Sequence, residues 1–354
     1  MNKNNRVLLA MSGGTDSSVS AIVLKEQGYN VEGITFVMSG DEVEPQYLKN
    51  ARELCGKLNI PHHSLDLRNE FNQKIINYFV DEYLAGRTPH PCVRCNNLIK
   101  WPFLVDMANK LDCFWIATGH YVRLTNQENE WFITQAKDKD KDQSFFLWGI
   151  DQQILSRTIF PLGNRLKSEV RKMASDRNFT SVSTLKDSMG ICFLSNNYRP
   201  FIELKLKERN LLPGIGNFTD CNGKLLGIHN GYPFFTIGQR RGLGLHLNKP
   251  VYVSDIIPKS NTIVIGNKNE LLINKIQLNG YHFSTCKDVE EQDFTVRIRY
   301  RKQATNGTVK IIGQNKLIIS LIEPVVKEAA GQTATFYIEE KVIGGGWIED
   351  SWLD

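Results

Sequence analysis

The sequence predicts an α/β protein: a doubly wound parallel sheet in an N-terminal domain, followed by two smaller β-rich domains. Over the first 200 residues, apolar strand-like runs alternate with segments of helical periodicity, an order that is typical of a parallel sheet covered by helices. Beyond residue 200, glycine, proline and short alternating runs at 262–265 and 316–321 indicate β structure. The third observation is a turn rich in glycine and serine between the first strand and the first helix.

The N-terminal elements follow from periodicity. Consecutive or alternating apolar residues predict strands at 6–11, 30–37, 61–67 and 113–118. Apolar residues at helical spacing predict a first helix that ends at Gly28 and further helices at 45–58, 71–84 and 101–111. The changes in composition predict three domains, the last of them barrel-like, at residues 1–200, 201–272 and 273–354.

The composition is that of a globular protein large enough for several domains. Of 354 residues, 41% are apolar and 23% are charged, and no apolar run reaches the length of a transmembrane helix. The apolar N-terminal run is too short for a signal peptide, so we expect a cytoplasmic protein without a membrane partner. Seven cysteines argue for functional thiols and against a disulfide framework. The net charge of +5 is compatible with a polyanionic partner.

The turn after the first strand has the composition of an anion-binding loop. It reads SGGTDSS and begins at Ser12. Gly13 and Gly14 allow main-chain N–H groups to approach a ligand, and the helix that follows directs its positive end at the loop. Ser17 and Ser18 add hydroxyl donors, as does Ser12. No lysine follows the second glycine, which excludes the GxxxxGK[ST] loop. SGGTDSS resembles the pyrophosphate-binding loop of the ATP pyrophosphatase superfamily; the alternative is a serine-rich turn that only caps a helix.

Two distant cysteine sites form the second chemical feature. Cys92 and Cys95 follow two prolines, which places Cys95 near a predicted helix start. There the helix dipole and Arg94 are expected to lower the pKa of the thiol and favour the thiolate. The other site is Cys192, for which burial in a strand is the alternative. A CxxC pair alone leaves redox, zinc and iron–sulfur roles open. Two further cysteines are expected to be buried core residues: Cys55 and Cys113.

The motifs together resemble the tRNA-specific 2-thiouridylase family over nearly the whole chain. They occur in family order and read SGGTDSS, GRTPHPCVRCN, ATGHYVR, KDQSFFL, FPLG, KDSMGICF, TIGQRRGLG, RIRYR, GQTATFY and GGGWIE. The resemblance implies a PP-loop ATP pyrophosphatase domain with an adenine nucleotide alpha hydrolase-like fold. It also implies a sulfurtransferase that adenylates the 2-carbonyl of the wobble uridine of tRNA. That oxygen is then replaced by sulfur from a cysteine persulfide, which gives 2-thiouridine, AMP and pyrophosphate.

The resemblance assigns roles residue by residue. Cys95 matches the nucleophile and Cys192 the persulfide carrier. Magnesium would bridge the phosphates, with Asp16 as a candidate ligand. The positions that match ATP contacts are Ala10, Met11, Ser12, Gly13, Gly14, Thr15, Asp16, Ser17, Phe36 and Gly119. The positions that match tRNA contacts, of which the first three face the flipped-out target base, are His90, Pro91, Cys92, His120, Lys141, Asp142, Gln143, Arg299, Tyr300 and Gln332.

The implied chemistry requires the two cysteines to meet. The persulfide on Cys192 delivers its outer sulfur directly, or after Cys95 cleaves the S–S bond and releases hydrosulfide; the latter route leaves a Cys95–Cys192 disulfide. We therefore expect a mobile segment around Cys192, with Gly190 as a hinge. The implied partners are tRNAs that read lysine, glutamate and glutamine codons, and a protein that donates persulfide sulfur.

Basic residues provide independent support for a nucleic-acid partner. Alternation over 296–301 would place Arg297, Arg299 and Arg301 on one strand face as a phosphate-binding stripe. A solvated outer strand face is the alternative. Gln239-Arg240-Arg241 is a weaker basic patch. The alternating charges at 137–142 by themselves indicate a solvated loop.

The chain departs from the family pattern at Cys92, where many members have Asp, and at Met189 before Gly-Ile-Cys. These changes suggest a divergent paralogue. One hypothesis is that Cys92, Cys95 and Cys192 jointly ligate an iron–sulfur cluster that binds the transferred sulfur. The alternative is that Cys92 is a spectator thiol. Zinc is disfavoured because no fourth ligand is evident.

Two other functions are compatible with parts of the sequence. An amidoligase-type pyrophosphatase that adenylates a small molecule would explain SGGTDSS and the parallel sheet, but not the paired cysteines. A tRNA-binding paralogue without catalysis would explain the basic segments, but not the retention of Asp16, Cys95 and Cys192.

Overall fold

The computed structural model describes most of the chain, namely residues 5–40, 42–177, 179, 190–194, 197–285, 289–290, 292–301 and 304–354. Of the predicted hinge segment, Gly190 is described, whereas Met189 lies outside the described residues. Within the described ranges, no helix is long and apolar enough to cross a membrane.

The described part contains seventeen strands and nine α-helices. The strands are β1 (Arg6–Ala10), β2 (Asn30–Val37), β3 (His62–Asp66), β4 (Trp115–Ala117), β5 (Val122–Gln127), β6 (Glu130–Gln135), β7 (Thr158–Ile159), β8 (Gly216–Thr219), β9 (Leu225–His229), β10 (Tyr252–Ile257), β11 (Thr262–Gly266), β12 (Leu272–Phe283), β13 (Phe294–Arg297), β14 (Thr305–Gly313), β15 (Lys316–Val326), β16 (Thr333–Ile338) and β17 (Lys341–Trp352). The helices are α1 (Thr15–Glu26), α2 (Gln46–Lys57), α3 (Arg68–Phe71), α4 (Asn77–Leu84), α5 (Pro91–Cys95), α6 (Trp101–Lys110), α7 (Gln152–Leu155), α8 (Lys167–Asp176) and α9 (Arg199–Glu208). Two π-helical turns, Asn72–Ile76 and Asn96–Lys100, join α3 to α4 and α5 to α6.

The N-terminal domain is built on a five-stranded parallel sheet with the order β3-β2-β1-β4-β7. The predicted doubly wound α/β class is confirmed, and β2 has the predicted bounds. The carboxyl ends of β1 and β4 meet at one edge, where the chain enters the SGGTDSS loop and the turn at 118–120. In this class of sheet, ligands bind at that edge.

Alternate residues of β1 face opposite layers of helices. Val7 and Leu9 lie in one buried cluster with apolar residues of α1, and Leu8 lies in another with Trp101 and Leu104 of α6. Each fully buried apolar side chain contributes about 1.5–3 kcal/mol relative to exposure. Because β1 is held from both sides, the loop that follows it starts from a fixed position.

The C-terminal part contains two further sheets, as the composition predicts. A four-stranded sheet has the order β10-β11-β8-β9. The strands β12-β15-β14-β13-β16-β17 form a ring that the antiparallel pairing of β12 with β17 closes. Closure removes the exposed strand edges that an open sheet would leave.

A hairpin from the N-terminal region extends the C-terminal sheet, which the sequence did not predict. The strands β5 and β6 pair with each other, and Thr134 of β6 pairs with Lys341 of β17. Glu340 forms ion pairs with Arg123 and with Lys139, the latter at 2.5 Å. The domain boundaries near residues 200 and 272 stay a prediction. The hairpin connects the N-terminal region with the C-terminal sheet.

The close approach of β17 to Trp148 provides a test of core packing. A Cβ at Gly345 would lie 2.6 Å from the ring of Trp148 and 2.6 Å from the carbonyl oxygen of Ala334, whereas a Cβ at Gly313 would meet nothing within 4 Å. We expect Gly345→Ala to reduce the free energy of unfolding by about 1–3 kcal/mol through overpacking. Gly313→Ala, also in a strand, should change it by less than about 0.5 kcal/mol. Urea denaturation of both variants measures the difference, and equal stability would contradict the described packing.

Candidate active site

The loop after β1 brings main-chain N–H groups to the N-terminus of α1. Gly13 has a φ of +68°, and a Cβ there would lie 2.2 Å from the carbonyl oxygen of Tyr47. Only glycine fits such a position without strain. Gly14 is the N-cap residue of α1, and no side chain forms a capping hydrogen bond there. The first N–H groups of α1 are therefore oriented to receive an anion.

The hydroxyl groups of the loop stabilise its shape. Ser17 Oγ and Ser18 Oγ donate to the carbonyl oxygen of Gly14 at 3.1 and 2.8 Å, and the N–H of Ser12 donates to Ser17 Oγ. Ser17 and Ser18 are buried, whereas Ser12 is exposed. In this conformation the hydroxyl hydrogens of Ser17 and Ser18 are used within the loop, and the predicted donation of the three serines to a ligand stays a prediction.

Asp16 is held by two groups from other parts of the chain. Lys167 Nζ lies 2.7 and 2.8 Å from the two carboxylate oxygens, and Tyr121 Oη donates to Oδ1 at 2.7 Å. Lys167 is 8% exposed, so its ammonium group depends on this pairing. Sequence reasoning missed Lys167. The sequence signal that could have identified it is a lysine at the first residue of a helix, a position where the helix dipole favours an acidic residue.

Two predicted nucleotide residues lie at the same edge of the sheet. A Cβ at Gly119 would lie 3.2 Å from main-chain atoms of Asp16 and Ser17, so this turn packs against the start of α1. Phe36 is buried near the carboxyl end of β2, next to β1. The structure thus brings together the loop, Gly119 and Phe36 with Lys167.

The first two cysteines lie on one continuous helical segment, the cysteine helix, which is formed by α5, the π turn Asn96–Lys100 and α6. Pro91 is the first helical residue, Cys92 the second and Cys95 the last of α5. Asn96 is buried, and its Nδ2 donates to the carbonyl oxygen of Phe146 at 3.1 Å. The CxxC pair is thereby fixed on a helix that buries Cys95 in the core, while Cys92 is partly exposed.

The predicted low pKa of Cys95 is wrong. Burial raises the pKa of the Cys95 thiol to about 11. Cys95 lies beyond the first turn of the helix, where the dipole acts. Arg94 faces away, because its Nε donates to the carbonyl oxygen of Lys74 and its guanidinium group lies 4.2 Å from the ring centroid of Tyr78. The thiol is therefore protonated at neutral pH in this conformation.

Cys192 lies in an anchored turn at the protein surface. The N–H of Leu194 donates to the carbonyl oxygen of Ile191 at 3.0 Å, which closes the turn. The ring of Phe193 packs edge-on against Phe79 at 5.3 Å, within an aromatic cluster that also includes Phe71 and Phe201. Cys192 itself is exposed, rather than buried in a strand. Desolvation by the surrounding protein raises the pKa of the Cys192 thiol.

The turn that carries Cys192 packs on the core to which Cys95 belongs, because Phe193, the next residue, lies against that buried cluster. The thiol of Cys192 acts electrostatically on both Cys92 and Cys95, and raises the pKa of each. Among the described residues, however, no three His, Cys, Asp or Glu side chains converge to hold a metal ion. The iron–sulfur hypothesis is therefore not supported. All six described cysteines have free thiols, and Cys55 and Cys113 are buried as predicted.

Lys100 and His120 connect the cysteines with the nucleotide loop. The charge of Lys100 lowers the pKa values of Cys92, Cys95 and Cys192. His120 follows Gly119, its ring stacks on Trp101 with centroids 6.3 Å apart, and its Nδ1 lies 2.8 Å from Thr118 Oγ1. Burial first, and then Lys100, lower the pKa of His120 to about 3, so it is neutral at physiological pH. Sequence reasoning missed Lys100.

Residues of the β-barrel fasten the turn that precedes the cysteine helix. His90 Nδ1 lies 2.9 Å from Thr333 Oγ1, and Gln332 Nε2 donates to the carbonyl oxygens of Thr88 and Pro89 at 3.0 Å each. Burial lowers the pKa of His90 to about 4. In this conformation the side chain of Gln332 is used within the protein, and Pro91 is buried.

The charged segment at 137–142 is not a freely solvated loop. Asp142 is 4% exposed, and its carboxylate accepts hydrogen bonds from the N–H of Ala136 at 3.0 Å and from Ser144 Oγ at 2.8 Å. Gln143 Oε1 accepts from the N–H of Tyr121 at 2.9 Å. Asp142 and Gln143 therefore hold neighbouring main-chain segments in place through hydrogen bonds. Lys141, beside them, is half-buried.

The predicted stripe of three arginines does not form. The strand β13 ends at Arg297, so the alternation stops before Arg299 and Arg301. Arg297 lies 3.5 Å from Asp142, and Arg299 forms an ion pair with Glu328. Tyr300 packs on Phe146 at 4.7 Å between ring centroids. By contrast, Arg240 and Arg241 are exposed, and neither forms an ion pair with a described residue.

Models of three protein families match consecutive parts of the chain. The model described as tRNA methyl transferase HUP domain matches residues 5–196. The model described as tRNA methyl transferase PRC-barrel domain matches residues 205–267, and the Aminomethyltransferase beta-barrel domain model matches residues 273–348. The first of these alone covers more than half of the chain.

Curated relatives match the chain along nearly its whole length. It is 46% identical over 346 residues to tRNA-specific 2-thiouridylase MnmA 2 of Phocaeicola vulgatus, with 98% of each chain covered. It is 44% identical over 357 residues to tRNA-specific 2-thiouridylase MnmA 1 of Bacteroides fragilis, again with 98% of each covered. For tRNA-specific 2-thiouridylase MnmA of Cytophaga hutchinsonii, the identity is 42% over 374 residues and the coverage 99% of each.

The raised pKa of Cys95 determines how its reactivity depends on pH. Below a pKa of about 11, the thiolate fraction falls tenfold for each pH unit. We expect the rate of iodoacetamide alkylation at Cys95 to rise about tenfold per unit from pH 7 to pH 9.5. Peptide mass spectrometry measures that rate, and Cys95→Ser identifies the peptide. A plateau below pH 9 would contradict the described burial.

Proposed function

Because this chain belongs to the tRNA-specific 2-thiouridylase family, we propose that it uses ATP to activate the 2-carbonyl of the wobble uridine of tRNA and replaces that oxygen by sulfur. The observation that carries the proposal is the arrangement around residues 118–120. Gly119 packs against the nucleotide loop, and His120 stacks on Trp101 of the cysteine helix. The same short turn therefore connects a site for a nucleotide with a site for sulfur.

The first half-reaction is assigned to the loop after β1. The main-chain N–H groups at the start of α1 bind the phosphates of ATP, and Gly13 permits their close approach. The uridine O2 attacks the α-phosphorus, the bond to the β-phosphate oxygen breaks, and pyrophosphate leaves with the electron pair. Asp16 is the loop carboxylate that would hold Mg²⁺, which would neutralise phosphate charge when bound. Lys167 orients Asp16 through its ion pair.

The second half-reaction is assigned to Cys192 and Cys95. A donor protein loads sulfur onto Cys192 as a persulfide, for which the exposed position of Cys192 is suitable. In one route the outer sulfur attacks C2 of the uridine and AMP leaves with the C2–O electron pair; the Cys95 thiolate then attacks the inner sulfur. In the other route Cys95 attacks first and releases hydrosulfide, which attacks C2. Both routes end in a Cys95–Cys192 disulfide, which an external thiol reduces with two electrons.

The substrate is proposed to be a tRNA that reads lysine, glutamate or glutamine codons, as in the family. Arg240 and Arg241 are exposed cations suited to the phosphate backbone. The side chains of His90 and Cys92 lie at the start of the cysteine helix, where a flipped-out base would meet Cys95. We propose that Asp142 and Gln332 position this surface, because their polar atoms already bind other parts of the protein. The remaining predicted contacts are Pro91, His120, Lys141, Gln143, Arg299 and Tyr300.

The decisive experiment is ATP-dependent incorporation of labelled sulfide into unmodified tRNA, followed by nucleoside analysis. We expect label in wobble 2-thiouridine with the wild-type chain, and loss of the label with Cys95→Ser. A signal that survives in Cys192→Ser would show that free sulfide bypasses the persulfide. Cys221→Ser is the matched control, because Cys221 is an exposed thiol in the turn between β8 and β9. Absence of label despite ATP turnover would refute the proposal and favour a ligase that adenylates a small molecule.

The pairing of Lys167 with Asp16 gives a separate prediction for the first half-reaction. We expect Lys167→Met to lower tRNA-dependent pyrophosphate release by about 10²–10³-fold, because it removes a buried charge at the nucleotide site. Lys167→Arg keeps the charge and should retain more activity. Lys172→Met, an exposed position on the same helix, is the control. Thermal denaturation of each variant separates loss of activity from loss of folding. Wild-type pyrophosphate release by a folded Lys167→Met would contradict the assignment.

A further inference from the structure

The cysteine helix carries a lysine, Lys100, whose ammonium group is unpaired among the described residues. Lys100 is half-buried at the end of the π turn Asn96–Lys100, and it forms no hydrogen bond or ion pair with any residue that the structure describes. Lys110, on the same helical segment, is paired with Asp106 at 2.8 Å. An ammonium group that loses hydration without gaining an anion is unfavourable. The position of Lys100 is therefore suited to an anion that is present only during the reaction.

The π turn determines where Lys100 lies. In a regular α-helix, Lys100 would be rotated by about 140° from Cys95, which is five residues earlier. Here the N–H of Trp101 donates to the carbonyl oxygen of Asn96, five residues back, which is the π-helical pattern. The wider turn returns Lys100 towards the face of Cys95. Asn96 is buried and bonded to the carbonyl oxygen of Phe146, which fixes the turn in place.

Lys100 lies where three elements meet. The next residue, Trp101, stacks with His120 of the 118–120 turn. Phe193 of the 190–194 turn packs against the buried cluster that contains Cys95 and Ile99. In keeping with this packing, the charge of Lys100 lowers the pKa values of Cys92, Cys95, Cys192 and His120. His120 is neutral at physiological pH, and Arg94 faces Tyr78 instead of the thiols. Among the described residues, Lys100 is consequently the cation that lowers the pKa values of all three thiols.

We propose that Lys100 is the counter-ion of the sulfur site: its ammonium group stabilises the anionic sulfur on Cys192 and on Cys95 during sulfur transfer. The role is electrostatic, so Lys100 forms no covalent bond. The inference rests on the proposed function for its place in the reaction. Its physical basis, a positive charge beside the thiols, is measurable in the free enzyme.

The first test measures thiol reactivity in the full chain without tRNA or ATP. Iodoacetamide alkylation of each cysteine is followed by peptide mass spectrometry between pH 7 and pH 9.5, in the wild type, Lys100→Met, Lys100→Arg and the control Lys110→Met. We expect Lys100→Met to slow alkylation of Cys192 and Cys95 by about tenfold, equivalent to about one pKa unit. Lys100→Arg and Lys110→Met should behave as the wild type. Cys221 is the internal control for a change in overall folding.

Two results would overturn the inference. One is an unchanged pH profile of Cys192 and Cys95 in Lys100→Met. The other is an equal slowing at Cys221, which would indicate a general structural change.

The second test separates this inference from the proposed function by comparing pyrophosphate release with tRNA thiolation. We expect thiolation by Lys100→Met to fall at least about tenfold further than pyrophosphate release, with recovery in Lys100→Arg. Equal loss of both would place Lys100 at the nucleotide site and overturn its role at sulfur. Altered thiol reactivity in a chain whose wild type thiolates no tRNA would support the counter-ion and refute the function.

Discussion

The ion pair between Asp16 and Lys167 is the interaction on which the rest of the site depends. It joins residues that are 151 positions apart and fixes the start of α1 against the start of α8. Such a partly buried pair contributes about 1–3 kcal/mol, between a surface pair and a fully buried one. Tyr121 donates a further hydrogen bond to Asp16, so the segment after the 118–120 turn is attached to the same carboxylate. Because Gly119 lacks a side chain, that turn passes within contact distance of α1 and delivers His120 to the cysteine helix.

The site formed by Cys92, Cys95 and Cys192 holds neutral thiols, in contrast to the charged pair of Asp16 and Lys167. Cys95 lies in the apolar core, and desolvation by the surrounding protein raises the pKa values of Cys92, Cys95 and the more exposed Cys192. A protonated thiol is a poor nucleophile and is less readily oxidised than a thiolate. The thiols are thus protected in this conformation, and the proposed sulfur transfer would require a source of positive charge when a thiolate or persulfide anion forms. Lys100 is placed to supply it.

The β-barrel contributes to the site mainly by fastening it. Thr333 and Gln332 bind the turn before α5, and β17 packs on Trp148 through Gly345. The hairpin β5–β6 continues the barrel sheet from the N-terminal side. His90 and Gln332, which are predicted to contact tRNA, thus form hydrogen bonds within the protein that hold the turn before α5.

Local signals in the sequence are sufficient to predict the fold class and the glycine-containing turn after β1, while the roles of Cys95 and Cys192 stay predictions that rest on the family resemblance. Strand and helix periodicity needs only neighbouring residues, and the glycines of the loop are required by backbone conformation at Gly13 itself. The family resemblance then related Cys95 to Cys192 across the chain.

The charges and the burial that act on these residues depend on how the chain packs. Arg94 is adjacent to Cys95 in sequence but faces Tyr78, whereas Lys100 and Cys192 act on the thiol. Likewise Lys167 reaches Asp16 from a distant helix, and the expected arginine stripe fails because β13 ends at Arg297. The pKa of a thiol depends on burial and on charges within several ångströms in space. Neither is encoded by neighbours along the chain, so the chemical state of each site residue follows from packing, while its chemical type follows from sequence.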